Sequence, residues 1–312
     1  MRHSLTVFFL ALLLAGCGKT LLTGVAVDRD LRPYIPPDAQ AIASIQIEKL
    51  KATDLYRRHL KDLDLPELNA MSERIGLDPR RDLTSLLAVW DGKQPIFLAK
   101  GTFSPDQLKQ KLATLGAKSV QYKNYSIFGS SGNAVALVDS RLAVSGPADA
   151  LHAALDRKAT GDGGVSQELE QQLKDVLQDA QIWEVSRGGI PLSAFPARAD
   201  VQSMLGNFAG AISETTVGLH CDSGVRFQAD IKCVSKEGAQ RVHDALRGLV
   251  GLARLSTNTS NMDLLRLWDA VNVDQDQDMV HVRADLSADL TEKLFTYLPQ
   301  IKSRARQIAK PF

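Results

Sequence analysis

Pro37–Asp38–Ala39–Gln40–Ala41–Ile42 and Gln178–Asp179–Ala180–Gln181–Ile182–Trp183 are the two stretches on which the reading of the fold turns. Both place Asp-Ala-Gln directly before an apolar run that predicts a strand. Both are followed by the same series, twice over: hairpin, small polar cap, amphipathic helix. In the first series Leu86 to Trp90 and Pro95 to Phe103 flank Asp91–Gly92, a dipeptide suited to a tight hairpin turn. Ser104–Pro105–Asp106–Gln107 then has the layout of a capping box with Pro at the first helical position, and Leu108, Leu112 and Leu115 share one face of the helix it opens.

The unit recurs three times. Leu142–Val144 leads through Ser145–Gly146–Pro147 to a helix carrying Leu151 and Leu155. Ile231–Val234 leads through Ser235–Lys236–Glu237 to Val242, Leu246 and Leu249. Val280–Leu286 leads through Ser287–Ala288–Asp289 to Leu290, Leu294 and Leu298. Strand candidates precede these units near Val135–Val138, Thr216–Cys221 and Ala270–Val273. The pattern predicts an α+β fold of two similar halves, each of antiparallel hairpins with amphipathic helices packed on one face. The halves are expected at 37–162 and 163–312. Thr160–Gly161–Asp162–Gly163–Gly164 is the seam, and Gln167–Leu177 is a helix leading into the second half. Thr53–Leu60 and Pro66–Ile75 read as further helices. Alternation at Val225, Phe227, Ala229 and Ile231 predicts a strand with one covered face.

Working outward to the amino terminus, Met1–Arg2–His3 is followed by an apolar run from Leu5 to Leu14, closed by Leu14–Ala15–Gly16–Cys17. The run falls short of the ~20 residues that span a bilayer and has the order of a secretory signal. The closing tetrapeptide resembles the lipobox of bacterial lipoproteins. That resemblance implies that residues 1–16 are a signal peptide, that Cys17 is diacylated and becomes the new amino terminus, and that the chain meets the membrane through it. Gly18, where the family often carries Asp for inner-membrane retention, implies the outer membrane, facing the periplasm, in a host that has one. Residues 17–36, broken by Gly24, Pro33 and Pro36, are expected to form a tether. The body, 37–312, resembles a loose group of uncharacterised bacterial envelope proteins whose halves open on a Pro-Asp-Ala element. That resemblance brings no activity with it.

Composition excludes several classes. The 312 residues are 44% hydrophobic and 23% charged, which are globular values. Residues 1–16 carry Arg2 and no acid, so without them basic and acidic residues balance. No net charge draws the chain to nucleic acid, and at 6% aromatics no stacking platform is expected. Cys221 and Cys233 fall on the two arms of one hairpin turning at Ser223–Gly224. Cys221 then pairs near Arg226, and at ~3.3 Å per residue Cys233 lies beyond bridging distance. Two free thiols are expected.

Signatures of catalysis are missing. Gly129–Ser130–Ser131–Gly132–Asn133 approaches a nucleophile elbow, but Asn133 replaces the final Gly and the stretch lies between two strands, so it reads as a hairpin loop. Asp274–Gln275–Asp276–Gln277–Asp278, with Asp285 at the twelfth position, resembles the start of a calcium loop. Met279 stands where the sharp turn needs Gly, and a solvated turn is expected. His59, His152, His220, His243 and His281 are scattered. Trp90, Trp183 and Trp268 lie in or near strands and read as core. Lys302, Arg304, Arg306 and Lys310 make a basic tail read as a solvated helix end. No catalytic, cofactor or metal residues are assigned. The expectation is a lipid-anchored envelope protein acting as a non-catalytic binding or structural module, with an envelope protein or an apolar ligand as partner. The alternatives are a carrier of apolar ligands, which requires a large apolar pocket, and an unrecognised hydrolase.

Overall fold

The computed structural model describes residues 24–61, 69, 72–73, 77–116, 118–188 and 210–295. Cys17 with the signal segment, the basic tail and most of Pro66–Ile75 lie outside these residues. Twelve strands form one antiparallel sheet. In the first half these are β1 (Ala41–Ile45), β2 (Leu83–Trp90), β3 (Pro95–Gly101), β4 (Ser119–Tyr122), β5 (Tyr125–Gly129), β6 (Ala134–Leu137) and β7 (Leu142–Gly146). In the second they are β8 (Ile182–Arg187), β9 (Ile212–Cys221), β10 (Val225–Cys233), β11 (Val271–Asp276) and β12 (Met279–Leu286). The order across the sheet is β11-β12-β10-β9-β8-β1-β2-β3-β7-β6-β5-β4.

The two echoed stretches meet at its centre. β1 pairs with β8 so that Ala41 faces Ser186, Ala43 faces Glu184 and Ile45 faces Ile182. The local bonding repeats. The Ala39 and Ala180 N–H groups donate to the carbonyls of Pro36 and Leu177, three residues back. The Gln40 and Gln181 N–H groups donate to Trp90 at the end of β2 and Leu219 in β9. Gln46 and Arg187 donate across the β1–β8 pairing to Gln181 and Gln40. Ala39 and Ala180 are both fully buried. The Asp-Ala-Gln element thus turns the chain into the strand by which each half meets the other at the centre of the sheet. Ala43 and Glu184, equivalent in the echo, face each other at the local two-fold between them.

Among the described residues, six helices longer than one turn are placed around the sheet: α1 (Ile47–Lys51), α2 (Pro105–Thr114), α3 (Ala148–Thr160), α4 (Gln167–Asp175), α5 (Lys236–Leu255) and α6 (Met262–Asp269), with a single helical turn at Pro79–Asp82. Residues 288–295 are also helical. The helices do not share one face, contrary to the expectation. Leu151, Ala154 and Leu155 of α3 and Leu169 and Leu173 of α4 pack on Ile42, Leu87, Val89, Leu98, Val144, Trp183 and Val185. Through the ladder pairings these strand residues all point to one side, the core face. Ala239 and Val242 of α5 pack on Ile231, Val273 and Val280, which point to the other. Alternating strands have two sides to offer, and in the first half both are apolar.

The tether expectation is corrected for residues 25–36. Val27, Leu31, Tyr34 and Ile35 are buried in the core beneath α3 and α4. Lys100 binds both Asp28 and Asp30, and Arg157 donates to the Tyr34 carbonyl. The apolar spacing in this Pro-broken stretch closes the core instead of spacing it from a membrane. The seam is likewise tightly held. Gly161 ends α3 at φ +80°, and Gly163 lies so close to Pro33 that any Cβ would meet its carbonyl oxygen.

Candidate functional site

On the side opposite the core face, the first half leaves an apolar cleft of about 850 Å³. The floor comes from the alternate strand residues that do not enter the core: Ile45, Leu86, Phe97, Ala99, Ala143 and Ile182. A bulge in the β2–β3 ladder between Leu83 and Ser85 turns Leu83 to this side as well. The walls are Leu50 of α1, Tyr56 and Leu60 of the turn that follows it, and Phe103, Leu108 and Leu112 of the α2 region. Phe97 and Ile45 remain 39% and 36% exposed. Arg80 is the one cation among the described lining residues, and its guanidinium is engaged by both carboxylate oxygens of Asp78 and by Asn69. A cleft of this size and lining matches sites that take mostly apolar small molecules.

One strand step beyond the Ile45–Ile182 end of the cleft sits Glu184, 9% exposed. Neither of its carboxyl oxygens has a hydrogen-bond partner, nor do the buried hydroxyls of Ser186 and Thr215, which pair with each other across β8 and β9. Burial pushes the Glu184 carboxyl up to about 7, with the nearby Ser186 side chain working the other way without reaching hydrogen-bond geometry. Nothing in the periodicity marked this residue. The echo could have, since it sets an acid where the first half has Ala43.

The residues singled out from the sequence fall elsewhere. Gly129 to Asn133 is the β5–β6 hairpin loop. Asp274 and Asp276 lie within β11 and Asp285 within β12, so no calcium loop is formed. Trp183 is core at 2% exposure, and the Trp268 indole N–H donates to Thr257. Cys221 and Cys233 are buried free thiols on β9 and β10, as expected, and burial pushes Cys221 up to about 11. The histidines are dispersed: His59 stacks on Phe295, His152 on Tyr122, and His281 bonds Asp230. Among the described residues, no cluster of His, Cys, Asp and Glu could hold a metal ion, and no helix is long and apolar enough to cross a membrane.

No protein-family model and no curated protein matches the chain. Solved structures do. Crystal form III of TP0453, an envelope protein of the bacterium Treponema, aligns with a TM-score of 0.50 at 10% identity over 87% of this chain and 99% of that one. Crystal form I of the same protein gives 0.48 at 10% identity over 88% and 98%. At this identity the likeness is one of fold: this chain shares its α+β architecture with a bacterial envelope protein.

Proposed function

We propose that this is a lipid-anchored protein of the bacterial envelope that binds an apolar ligand non-catalytically in the cleft of its first half. The observation that carries the reading is the cleft. In a packed interior, voids of this size do not persist, and a soluble protein that leaves Leu86, Phe97, Phe103 and Leu108 around open space gains nothing in stability from it. Of the three expectations weighed on the sequence, only the carrier required such a feature. The acyl anchor rests on the Leu14–Ala15–Gly16–Cys17 tetrapeptide, and the fold shared with TP0453 fits an envelope location.

Two experiments test the two parts. Replacing Cys17 with Ala and fractionating cells tests the anchor: release of the protein from the membrane fraction supports it, and retention at high salt counts against it. For the ligand, the chain from Lys19 to Phe312 is purified from an envelope extract and its native mass recorded. An added mass lost on denaturation is expected. A bare mass, together with no uptake of a neutral apolar fluorophore, would remove the carrier reading.

A further inference from the structure

Glu184, Ser186 and Thr215 form a cluster that the cleft reading leaves unused. Glu184 is 9%, Ser186 0% and Thr215 1% exposed, and the polar side-chain atoms of all three lack hydrogen-bond partners. A buried polar group without a partner costs about 1–3 kcal/mol and a charged one more, so three together call for a reason. The ladder pairings put all three on the cleft side of the sheet. Ile45 and Ile182, directly paired, end the cleft. The next pair on that side is Ala43 with Glu184, roughly 7 Å along the strands, and the next is Ala41 with Ser186. From Phe97 in the cleft floor, the row across the strands runs through Ala88 and Ala43 to Glu184. The two alanines are only half-buried and raise no wall between the cleft and the carboxyl.

We propose that Glu184, Ser186 and Thr215 are the polar end of the cleft, and that the occupant is an amphiphile with a primary ammonium head and an apolar tail. The inference rests on the cleft being a ligand site. The chemistry selects the head group. All three groups accept, and an ammonium supplies three donors to match. An anionic head would face a carboxylate in a buried setting with no cation among the described residues around it to offset the charge. A hydroxyl head supplies one donor for three acceptors. No charged or titratable side chain approaches Glu184 from the described elements around it: Ala41 and Ala43 of β1, Thr215 and Val217 of β9, and Ile182 and Ser186 of its own strand. The carboxyl oxygens are closed to solvent, so the head group reaches them by displacing the Ile45–Ile182 rim, of which Ile45 is already 36% exposed.

The test is competition. The neutral fluorophore N-phenylnaphthylamine is bound to the full chain and displaced in turn by dodecylamine, dodecanol and dodecanoate, for the wild type, Glu184→Gln and the double variant Ser186→Ala with Thr215→Val. The amine is expected to displace about tenfold or more better than the alcohol or the acid in the wild type, as a charge-assisted contact implies. The preference should disappear in Glu184→Gln and shrink in the double variant, each read as the ratio of amine to alcohol displacement within that variant. In the wild type alone it should grow as pH rises from 5 to 8, since the ammonium stays charged while Glu184 ionises. Equal displacement by the three heads, or an amine preference that survives Glu184→Gln, would overturn the assignment while leaving the cleft as a site. Failure of the fluorophore to bind at all would remove both.

Discussion

Helices α2 and α5 stand at equivalent places in the two halves, each following the third strand of its half, yet only α5 closes its sheet. α5 runs for twenty residues and sets Gly238, Ala239 and Val242 close against β10 to β12. α2 runs for ten, buries only Leu108, and stands off the strands. The same plan thus gives a filled interface in one half and an open cleft in the other. Small residues on α5 allow close approach to the strands, whereas α2 presents Leu108 and Leu112 to the open space. The opposite sides differ too. Behind the cleft, β2, β3 and β7 carry a largely apolar core under α3 and α4. Behind α5, β10 and β12 present Gln228, Asp230, His281 and Arg283, linked by hydrogen bonds and ion pairs. β2, β3 and β7 thus carry apolar residues on both sides of the sheet, whereas β10 to β12 carry them only beneath α5.

The comparison can be broken by substitutions paired across it. Leu98→Ala on the core face and Ile231→Ala beneath α5 both open cavities in filled interfaces, and each is expected to cost about 2–5 kcal/mol in urea denaturation. A cost near zero at Ile231 would mean that α5 does not seal its half. Next in size is Glu184→Gln. The Glu184 carboxyl is raised in the folded protein to about 7 from an ordinary 4.5. Its contribution is therefore fully present below about pH 4.5 and is lost as pH rises through 7. The ionised form is penalised by about 3 kcal/mol above that range. Stability of the glutamine variant relative to wild type should rise by an amount of that order between pH 4 and pH 8. A flat difference would show that the carboxyl finds a partner when charged.

Smaller effects sharpen the cleft side. Phe97→Ala removes a ring that is 39% exposed, and should change stability by less than about 1 kcal/mol while weakening uptake of an apolar fluorophore. A large stability loss there would mean that the floor is packed, not open. The smallest effect concerns the closed half. Cys221 is buried and raised to about 11, so alkylation at pH 8 should be slow in the folded protein and fast in urea. Fast labelling of the folded protein would show that the β9–β10 hairpin opens.

Much of this was legible in the residues. The Asp-Ala-Gln echo marked the two central strands, and the hairpin turns and caps located most of the remaining elements, because turn and cap chemistry is local. The β4–β5 hairpin escaped: Val120 is 61% exposed, and this pair forms the sheet edge with little apolar alternation to signal it. The core segment Val27–Ile35 escaped because its two prolines and charged residues read as linker, while its burial is decided by α3 and α4 far along the chain. The cleft was illegible for a different reason. Leu86, Phe97 and Leu108 have the spacing of core residues, and periodicity says which side a residue faces, not whether anything fills the space above it. Glu184 looked like one polar residue in a strand. Only the pairing of β8 between β1 and β9 shows that it lies at the centre of the molecule.

As proposed, the first half holds an apolar ligand where the second half is sealed. Ala99 lies on the cleft floor, and Ala99→Trp would fill the space from below without touching the core face. The most direct measurement is a titration of the wild type and this variant with N-phenylnaphthylamine, with stability measured alongside. One saturable site per wild-type chain is expected, with at least about tenfold weaker binding in a variant that still unfolds cooperatively. Equal binding by both proteins would rule out the cleft as the ligand site.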